Sequence, residues 1–476
     1  MTPALYRGVK LAGPLTGVAC SILLAACASK PPQSAAASPA PAVVPSWDDP
    51  RLRSTLLMLQ GPATSDTLTA NEVFAAALVF NPDVDVARAE VAVARADVQR
   101  ARQRTNPVLT FAPEHLVSAA AAGISPWVVA VSLVWPLRMP GKRALAIEQA
   151  LATSDAALLT AANTVWTLRS ASRAALCSAE LAMAQTALAR EEATLRTDLA
   201  ARLRKQADAG LASEYDAARA RLDRDLAIQR LRQSDSQAIA ARHDLAAATG
   251  MPVAEIQRRP LGTSCFAPPP ALAERLALQE TAIAARLDLR AKLAEFRAAD
   301  AAWRAEVKNR VPDLSVGPGY VYDQGDRRIT FSLSAELPLF ARNNAAIARA
   351  QADRRRVAAQ VESLQRTVIG GIARARDEFE LAQQQASAAR ELEAESDQLL
   401  ARDSERFKVG ELDRPAQIVS RIAVTSARTD TLTTASALID ATAALEAATQ
   451  TPLVAPLFDA RAAVDAVSAP DNGEVK

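Results

Sequence analysis

The sequence predicts a mainly helical chain with a small transmembrane β-barrel portion, built from two copies of one helix, β-hairpin and long-helix unit. Three observations predict it: a long internal repeat, two Pro-free stretches of 68 residues rich in Ala, and paired segments that alternate strictly between apolar and polar residues. Composition agrees. Half of the 476 residues are hydrophobic but only 4% are aromatic, so long packed helices suit the chain better than thick globular cores. With 4 Cys and 2 His, a small disulfide scaffold and a His- or Cys-rich metal domain are excluded. A formal charge of +2 leaves no basic excess to hold nucleic acid.

The N-terminus has the layout of a bacterial signal peptide. Arg7 and Lys10 form a short basic region, and the uncharged stretch from Leu11 ends in Leu24-Ala25-Ala26-Cys27. That tetrad resembles a lipobox, in which Cys27 is acylated and becomes the new N-terminus after residues 1–26 are removed. Ala28, rather than the Asp that marks inner-membrane retention in lipoproteins, directs the resemblance to the outer membrane. An ordinary signal peptide that happens to contain a cysteine is the bland alternative. Residues 28–46 are mostly Pro, Ala and Ser with a single charge, and the whole of 27–65 reads as a tether. The mature chain carries 53 basic and 53 acidic groups.

The repeat runs through four landmarks in the same order. Asp83 and Glu90 fall on Asp288 and Glu295, and Asn106-Pro107-Val108-Leu109 on Val311-Pro312-Asp313-Leu314, both at an offset of 205. Trp135-Pro136-Leu137 falls on Leu337-Pro338-Leu339 at 202, and Ala209-Gly210-Leu211 on Val409-Gly410-Glu411 at 200. Residues 66–265 and 266–450 are the two copies, and 451–476 is a C-terminal tail.

Each copy contains one very long helix. Residues 141–208 and 341–408 would each span about 100 Å at 1.5 Å per residue, far beyond the ~30 Å of a bilayer. Their frequent charges exclude lipid as the solvent and read as solvated or inter-helix faces. Segments 213–248 and 415–449, half as long, fold back antiparallel after a Gly-containing turn.

The extended segments carry the sharper signal. In the second copy, about 312–322 and 328–340, Ile329, Phe331, Leu333, Ala335, Leu337 and Leu339 alternate with Arg328, Thr330, Ser332, Ser334 and Glu336. One face suits hydrocarbon and the other water, the pattern of transmembrane barrel strands. In the first copy, about 107–118 and 126–138, Gly123, Pro126, Pro136 and a run of valines argue for a hairpin over a membrane helix. Trp127 and Trp135 share a strand face. Eight residues at about 3.3 Å and a tilt of about 40° separate them by roughly 20 Å, close to the spacing of two aromatic girdles, to which Tyr320 and Tyr322 are also assigned. Four strands cannot close a barrel, so the chain must oligomerise, two or three copies supplying eight or twelve strands. Only the larger ring leaves an open lumen.

These duplicated units resemble the TolC-type outer-membrane efflux proteins over about residues 66–450. The resemblance implies a homotrimer: a twelve-stranded outer-membrane barrel continuing into a periplasmic tunnel of helices, docked by its tip to an adaptor protein and an inner-membrane pump of the RND type. The runs Pro136-Leu137 with Gly141-Lys142-Arg143, and Glu336 to Asn343, are similar to the heavy-metal cation efflux branch. Gly210 and Leu211, and Gly410 and Glu411, look like the family's adaptor-contacting turns. Asp216 takes the place of an acidic residue in the family's closed-state latch, but the usual tyrosine partner is Phe407. The aspartates that ring the pore in the best-known member of the family are not matched, because Ala416 and Val419 stand there, leaving Glu411 and Asp413 for any cation selection at the tip.

By helix rise, Cys177 lies about 47 Å above the tip, and the returning helix climbs about 54 Å before the connector that carries Cys265. A disulfide between the two follows in an oxidising compartment, with two buried free thiols as the alternative. His115 and His243 lie 128 residues apart with no metal or catalytic spacing, and no enzyme signature, cofactor motif or nucleotide-binding motif emerges. The function expected is a passive outer-membrane conduit for heavy-metal cations. A lipid-anchored periplasmic coiled-coil adaptor or scaffold is the competing class, and drugs or secreted polypeptides are the competing cargo.

Overall fold

The computed structural model describes residues 44–59, 67–117, 125–266, 284–454, 456, 458 and 460–468. Cys27 and its tetrad lie outside the described residues. Helices α1 (Pro50–Met58), α2 (Ala70–Phe80) and α3 (Pro82–Arg102) lead into strands β1 (Val108–His115) and β2 (Trp127–Leu137). Then follow α4 (Lys142–Asp208), α5 (Glu214–Thr249) and the short α6 (Val253–Gln257), and a connector that includes the 3-10 turn Ser264–Phe266. The second half repeats the plan with α7 (Leu287–Lys308), β3 (Leu314–Asp323), β4 (Asp326–Ala335), α8 (Asn344–Lys408) and α9 (Arg414–Thr449), and ends in α10 (Ala460–Ser468). The long helices have 67 and 65 residues and both returning helices have 36.

Ion pairs between α4 and α5 set Arg190 on Asp235 and Arg196 on Asp223, as antiparallel partners must be. Between α8 and α9, Arg428 meets Asp397 while Ser420 meets Asp403. Helix α4 also packs on α3, α7, α9 and α10, so it is the axle of the chain. One core gathers Phe74, Trp166, Leu287 and Val467 around it, with the Phe458 ring edge-on to Phe74 at 4.9 Å. A second gathers Leu176, Leu245, Ile256 and Cys265.

All four strands join one antiparallel sheet in the order β1-β2-β3-β4, so the hairpins of both halves pool into a single layer. The β3–β4 loop is two residues, Gln324 and Gly325, both at positive φ as a type I′ hairpin turn requires. Strand β4 stops at Ala335 rather than near residue 340. Its partner β3 begins at Leu314, opposite Ala335, and Pro338 has no N–H to extend a ladder.

Two terminal segments differ from the sequence reading. The C-terminal part of the 27–65 tether is packed structure: Asp49 caps α1, Leu52 is buried, and Trp47 Nε1 donates to the Glu255 carbonyl at 2.8 Å. The 451–476 tail contains α10, with Ala463 and Val467 buried. Both pieces are short and lack the long periodicity that reveals the major helices. Among the charged side chains of α4, Arg169 is fully buried on an inter-helix face, paired with Glu446 of α9.

Candidate functional site

Period-two alternation places two chemistries on opposite faces of the sheet. Rows running across it on one face read Phe111, Val131, Tyr320, Ile329, and, nearer the helices, Trp135, Val316, Leu333. Trp127, Trp135, Tyr320 and Tyr322 all lie on this face. Trp127 and Tyr322 are near the hairpin end and Trp135 near the helix end, while Tyr320 lies one row inward from Tyr322. His115 sits opposite Trp127 with ring centroids 4.7 Å apart. The face is open: Phe331 is 83% exposed.

The other face has small and hydroxyl side chains at its centre, interspersed with Val108, Val128, Val134 and Val321, and the charged Glu114, Asp323 and Arg328 toward the hairpin end. One row there is Thr110, Ser132, Gly319, Thr330. A Cβ built on Gly319 would lie 2.6 Å from Thr330 Oγ1, and one on Gly317 would lie 2.6 Å from the Ser332 hydroxyl, which donates to the Gly317 carbonyl. The polar face is thus closely packed at its centre, where a Cβ in place of either glycine hydrogen would displace the Ser332 or Thr330 hydroxyl. Strands β1 and β4 are the edges of the sheet, and neither pairs with another strand among the described residues. An open edge of this length is a template for pairing with another chain.

Far from the sheet are two helix turns of one design. Gly210 (φ 72°) and Gly410 (φ 81°) occupy the left-handed position after α4 and α8. In each, the next residue's N–H closes the helix: Leu211 on the Gln206 carbonyl at 2.8 Å and Glu411 on the Arg406 carbonyl at 2.9 Å. Nothing lies within 4 Å of a Cβ built on either glycine, so backbone conformation alone selects the residue. Alanine at Gly210 or Gly410 is expected to cost about 1–2 kcal/mol locally. Amide exchange of the flanking turns should accelerate accordingly, and unchanged exchange would show that the turn does not depend on the left-handed residue.

Two of the acidic residues at the tips, Asp216 and Asp413, are engaged in helix caps. Ser213 accepts from Asp216 N–H at 3.0 Å and donates to its carboxylate at 2.6 Å, and Asp413 accepts from Ala416 N–H at 2.9 Å. Glu411 is exposed beside Arg406 at 3.7 Å. Phe407 lies under the Arg414 guanidinium, 5.5 Å from ring centroid to carbon. This cation–π pair closes the turn on the side of Phe407, a contact that the sequence reading did not include.

Between sheet and tips, Cys177 and Cys265 form a disulfide with Cα atoms 5.4 Å apart. One turn further along α4, the buried Glu180 carboxylate accepts from Ser264 Oγ and Cys265 N–H, both at 3.0 Å. Sequence reasoning missed a second buried centre. The Arg169 and Glu446 side chains pair at 3.0 Å and join α4 to α9, with Arg173 at 3.7 Å from the same carboxylate. Burial pulls the Arg173 guanidinium below its ordinary range, and the Glu446 charge partly restores it. Among the described residues no cluster of three or more His, Cys, Asp or Glu side chains is arranged to hold a metal ion, and no helix is long and apolar enough to cross a membrane.

The family model described as outer membrane efflux protein matches residues 73–251 and 278–451. Among solved structures, the chain is similar to the outer-membrane channel OprN, with a TM-score of 0.66, 18% identity, and 85% of this chain and 93% of that one covered. It is similar to CusC at 0.65 and 17%, covering 80% and 91%, and to the outer membrane protein VceC of Vibrio cholerae at 0.64 and 17%, covering 80% and 95%. At such identities the likeness is one of fold. No curated protein sequence matches the chain.

Proposed function

The chain belongs to the outer membrane efflux protein family, and from that membership we propose that it is the passive channel of a tripartite efflux system, working as a homotrimer. Like the family's channels it resides in the outer membrane and catalyses no reaction. The observation that carries the reading is the single four-stranded sheet with one apolar face, one polar face and two open edges. Pairing β4 of one copy with β1 of the next leaves no backbone group unsatisfied in lipid, and three copies give twelve strands around a wet lumen. A lipid-anchored periplasmic adaptor would need a β-domain within one helical hairpin, not one sheet drawn from both halves.

Cys27 acylation adds the membrane anchor in this reading, and Trp127, Trp135, Tyr320 and Tyr322 form the aromatic girdles. The two glycine turns, with Leu211 and Glu411 exposed beside them, dock the adaptor, which connects to an inner-membrane RND-type pump. Heavy-metal cations are the cargo, on the likeness of the runs around Gly141 and Glu336 to that branch. A deletion strain should lose tolerance to a transition-metal ion. Loss of tolerance to drugs alone, or of a secreted polypeptide, would reassign the cargo and leave the channel intact.

Planar bilayers test the channel itself. The purified protein should give discrete single-channel steps, and a monomeric, electrically silent preparation would refute the conduit. Asp216, Phe407, Glu411 and Asp413 are the gate candidates. Replacing Glu411 by Gln and Asp413 by Asn removes six charges from a trimeric tip while Asn still caps α9. Cation preference should fall; unchanged conductance and selectivity would remove both residues from the gate.

A further inference from the structure

The two ends of the sheet differ in charge. On the helix side, stretches 102–107, 138–144, 306–313 and 336–344 carry eight basic and three acidic residues. At the hairpin end, stretches 113–117, 125–128 and 322–328 carry three acidic and two basic ones. The helix-side acids are largely spent inside the protein. Asp313 accepts from Lys142 Nζ and Met139 N–H, both at 2.9 Å, and Glu306 is held by Asn343 Nδ2 at 2.7 Å. Arg104, Arg138, Lys308 and Arg342 are exposed and make no ion pair among the described residues.

Beside these cations lies apolar surface that the protein does not cover. Strand β4 ends at Ala335, and the chain continues through Leu339, 72% exposed, and Phe340, fully exposed, to Arg342. The loop thus leaves apolar side chains uncovered directly after the strand, next to the last rows of the apolar face, Trp135, Val316, Leu333 and Leu137, Leu314, Ala335. Helix C-termini account for some of the charge, since Lys308 ends α7 and offsets its dipole. They do not account for Arg138 or Arg342, which follow strands, nor for the apolar residues next to them.

We propose that this belt binds anionic phospholipid of the periplasmic leaflet, Arg104, Arg138, Lys308 and Arg342 taking the phosphate and Leu339 and Phe340 lying against the acyl chains. The assignment rests on the channel reading, which puts the apolar face in lipid and the helix side in the periplasm. The excess of positive charge selects a headgroup with net negative charge over a zwitterionic one, because only the former neutralises the belt. A phosphate without an acyl chain would leave the loop uncovered.

The full-length protein, reconstituted in equal parts of phosphatidylglycerol and phosphatidylcholine and extracted with its bound lipid, supplies the test by native mass spectrometry. Phosphatidylglycerol should be retained over phosphatidylcholine by roughly tenfold, less at high salt. The combined variant Arg104→Gln, Arg138→Gln, Lys308→Gln and Arg342→Gln should bring the ratio near one, whereas Arg327→Gln with Arg328→Gln at the hairpin end should leave it unchanged. Wild-type protein that retains both lipids equally, or a quadruple variant that keeps the preference, would overturn the proposal, and the wild-type measurement decides even if the variant does not fold. In a Phe340→Trp variant, brominated acyl chains should add quenching over wild type. Absence of added quenching would place a second copy of the chain over the loop instead. Conductance in pure phosphatidylcholine separates the two readings: channels without lipid preference reject only the belt, and silence rejects the channel.

Discussion

Replacing Glu446 with alanine is expected to lower the stability of the assembled protein by about 3–5 kcal/mol, the cost of leaving a buried charge without its partner. The Glu446 carboxylate receives the Arg169 guanidinium on both oxygens, at 3.0 and 3.3 Å, and Arg173 approaches to 3.7 Å. Its Oε1 also accepts from the N–H groups of Leu453 and Val454, at 2.6 and 3.0 Å. Arg169 in turn donates to the Pro456 and Val454 carbonyls, each at 2.7 Å, and lies against Trp166. One carboxylate therefore fixes a helix of each repeat and the start of the C-terminal segment. Removing it strands two guanidinium groups, one of them wholly buried. The triple variant Arg169→Met, Arg173→Met with Glu446→Leu removes all three charges together, so it should recover part of that loss, keeping the cost of the Leu453 and Val454 N–H groups and the Val454 and Pro456 carbonyls left without partners. Denaturation midpoints in detergent at fixed protein concentration measure both, because association shifts apparent stability. A loss below about 1 kcal/mol in Glu446→Ala would mean that the pair does not hold the repeats together.

That centre is illegible in the sequence for a physical reason. Helix α8 buries Val368, Ile372, Ala375, Phe379, Ala382 and Ala386, a spacing of four and three that marks one packed stripe. Helix α4 buries Ala161, Ala162, Val165, Trp166, Leu168, Arg169, Ser172 and Arg173, because neighbours meet it on several sides. No stripe then separates a core arginine from a solvated one. The strands are legible because period two survives wherever one face meets a different solvent from the other, as at Ile329 to Leu333. Both turns are legible because only glycine takes the left-handed position cheaply. The ladder's stop at Ala335 is not, since it depends on where β3 begins. The fit of Ser332 and Thr330 over Gly317 and Gly319 depends on register, which alternation alone leaves open by steps of two.

Loss of the Cys177–Cys265 disulfide, through Cys177→Ala with Cys265→Ala so that no free thiol is created, is expected to cost about 4–5 kcal/mol in the chain-entropy model. The bond closes a span of 88 residues that includes the tip of the first helical hairpin. Its effect differs in kind from that of Glu446, since it acts chiefly on the unfolded chain and leaves no buried group unpaired. The native connector keeps other ties: Glu180 on Ser264 and Cys265, Arg259 on Glu72 at 2.6 Å, and Leu68 N–H on the Pro260 carbonyl at 2.9 Å. The oxidised and reduced folds should therefore coincide, with conductance preserved, while global stability falls. Amide exchange around residues 258–266 should rise only as far as those ties permit. A midpoint that stays put on reduction would show that the unfolded chain is already constrained over this span. Lost conductance with the midpoint unchanged would show instead that the bond shapes the native tunnel and not the unfolded ensemble.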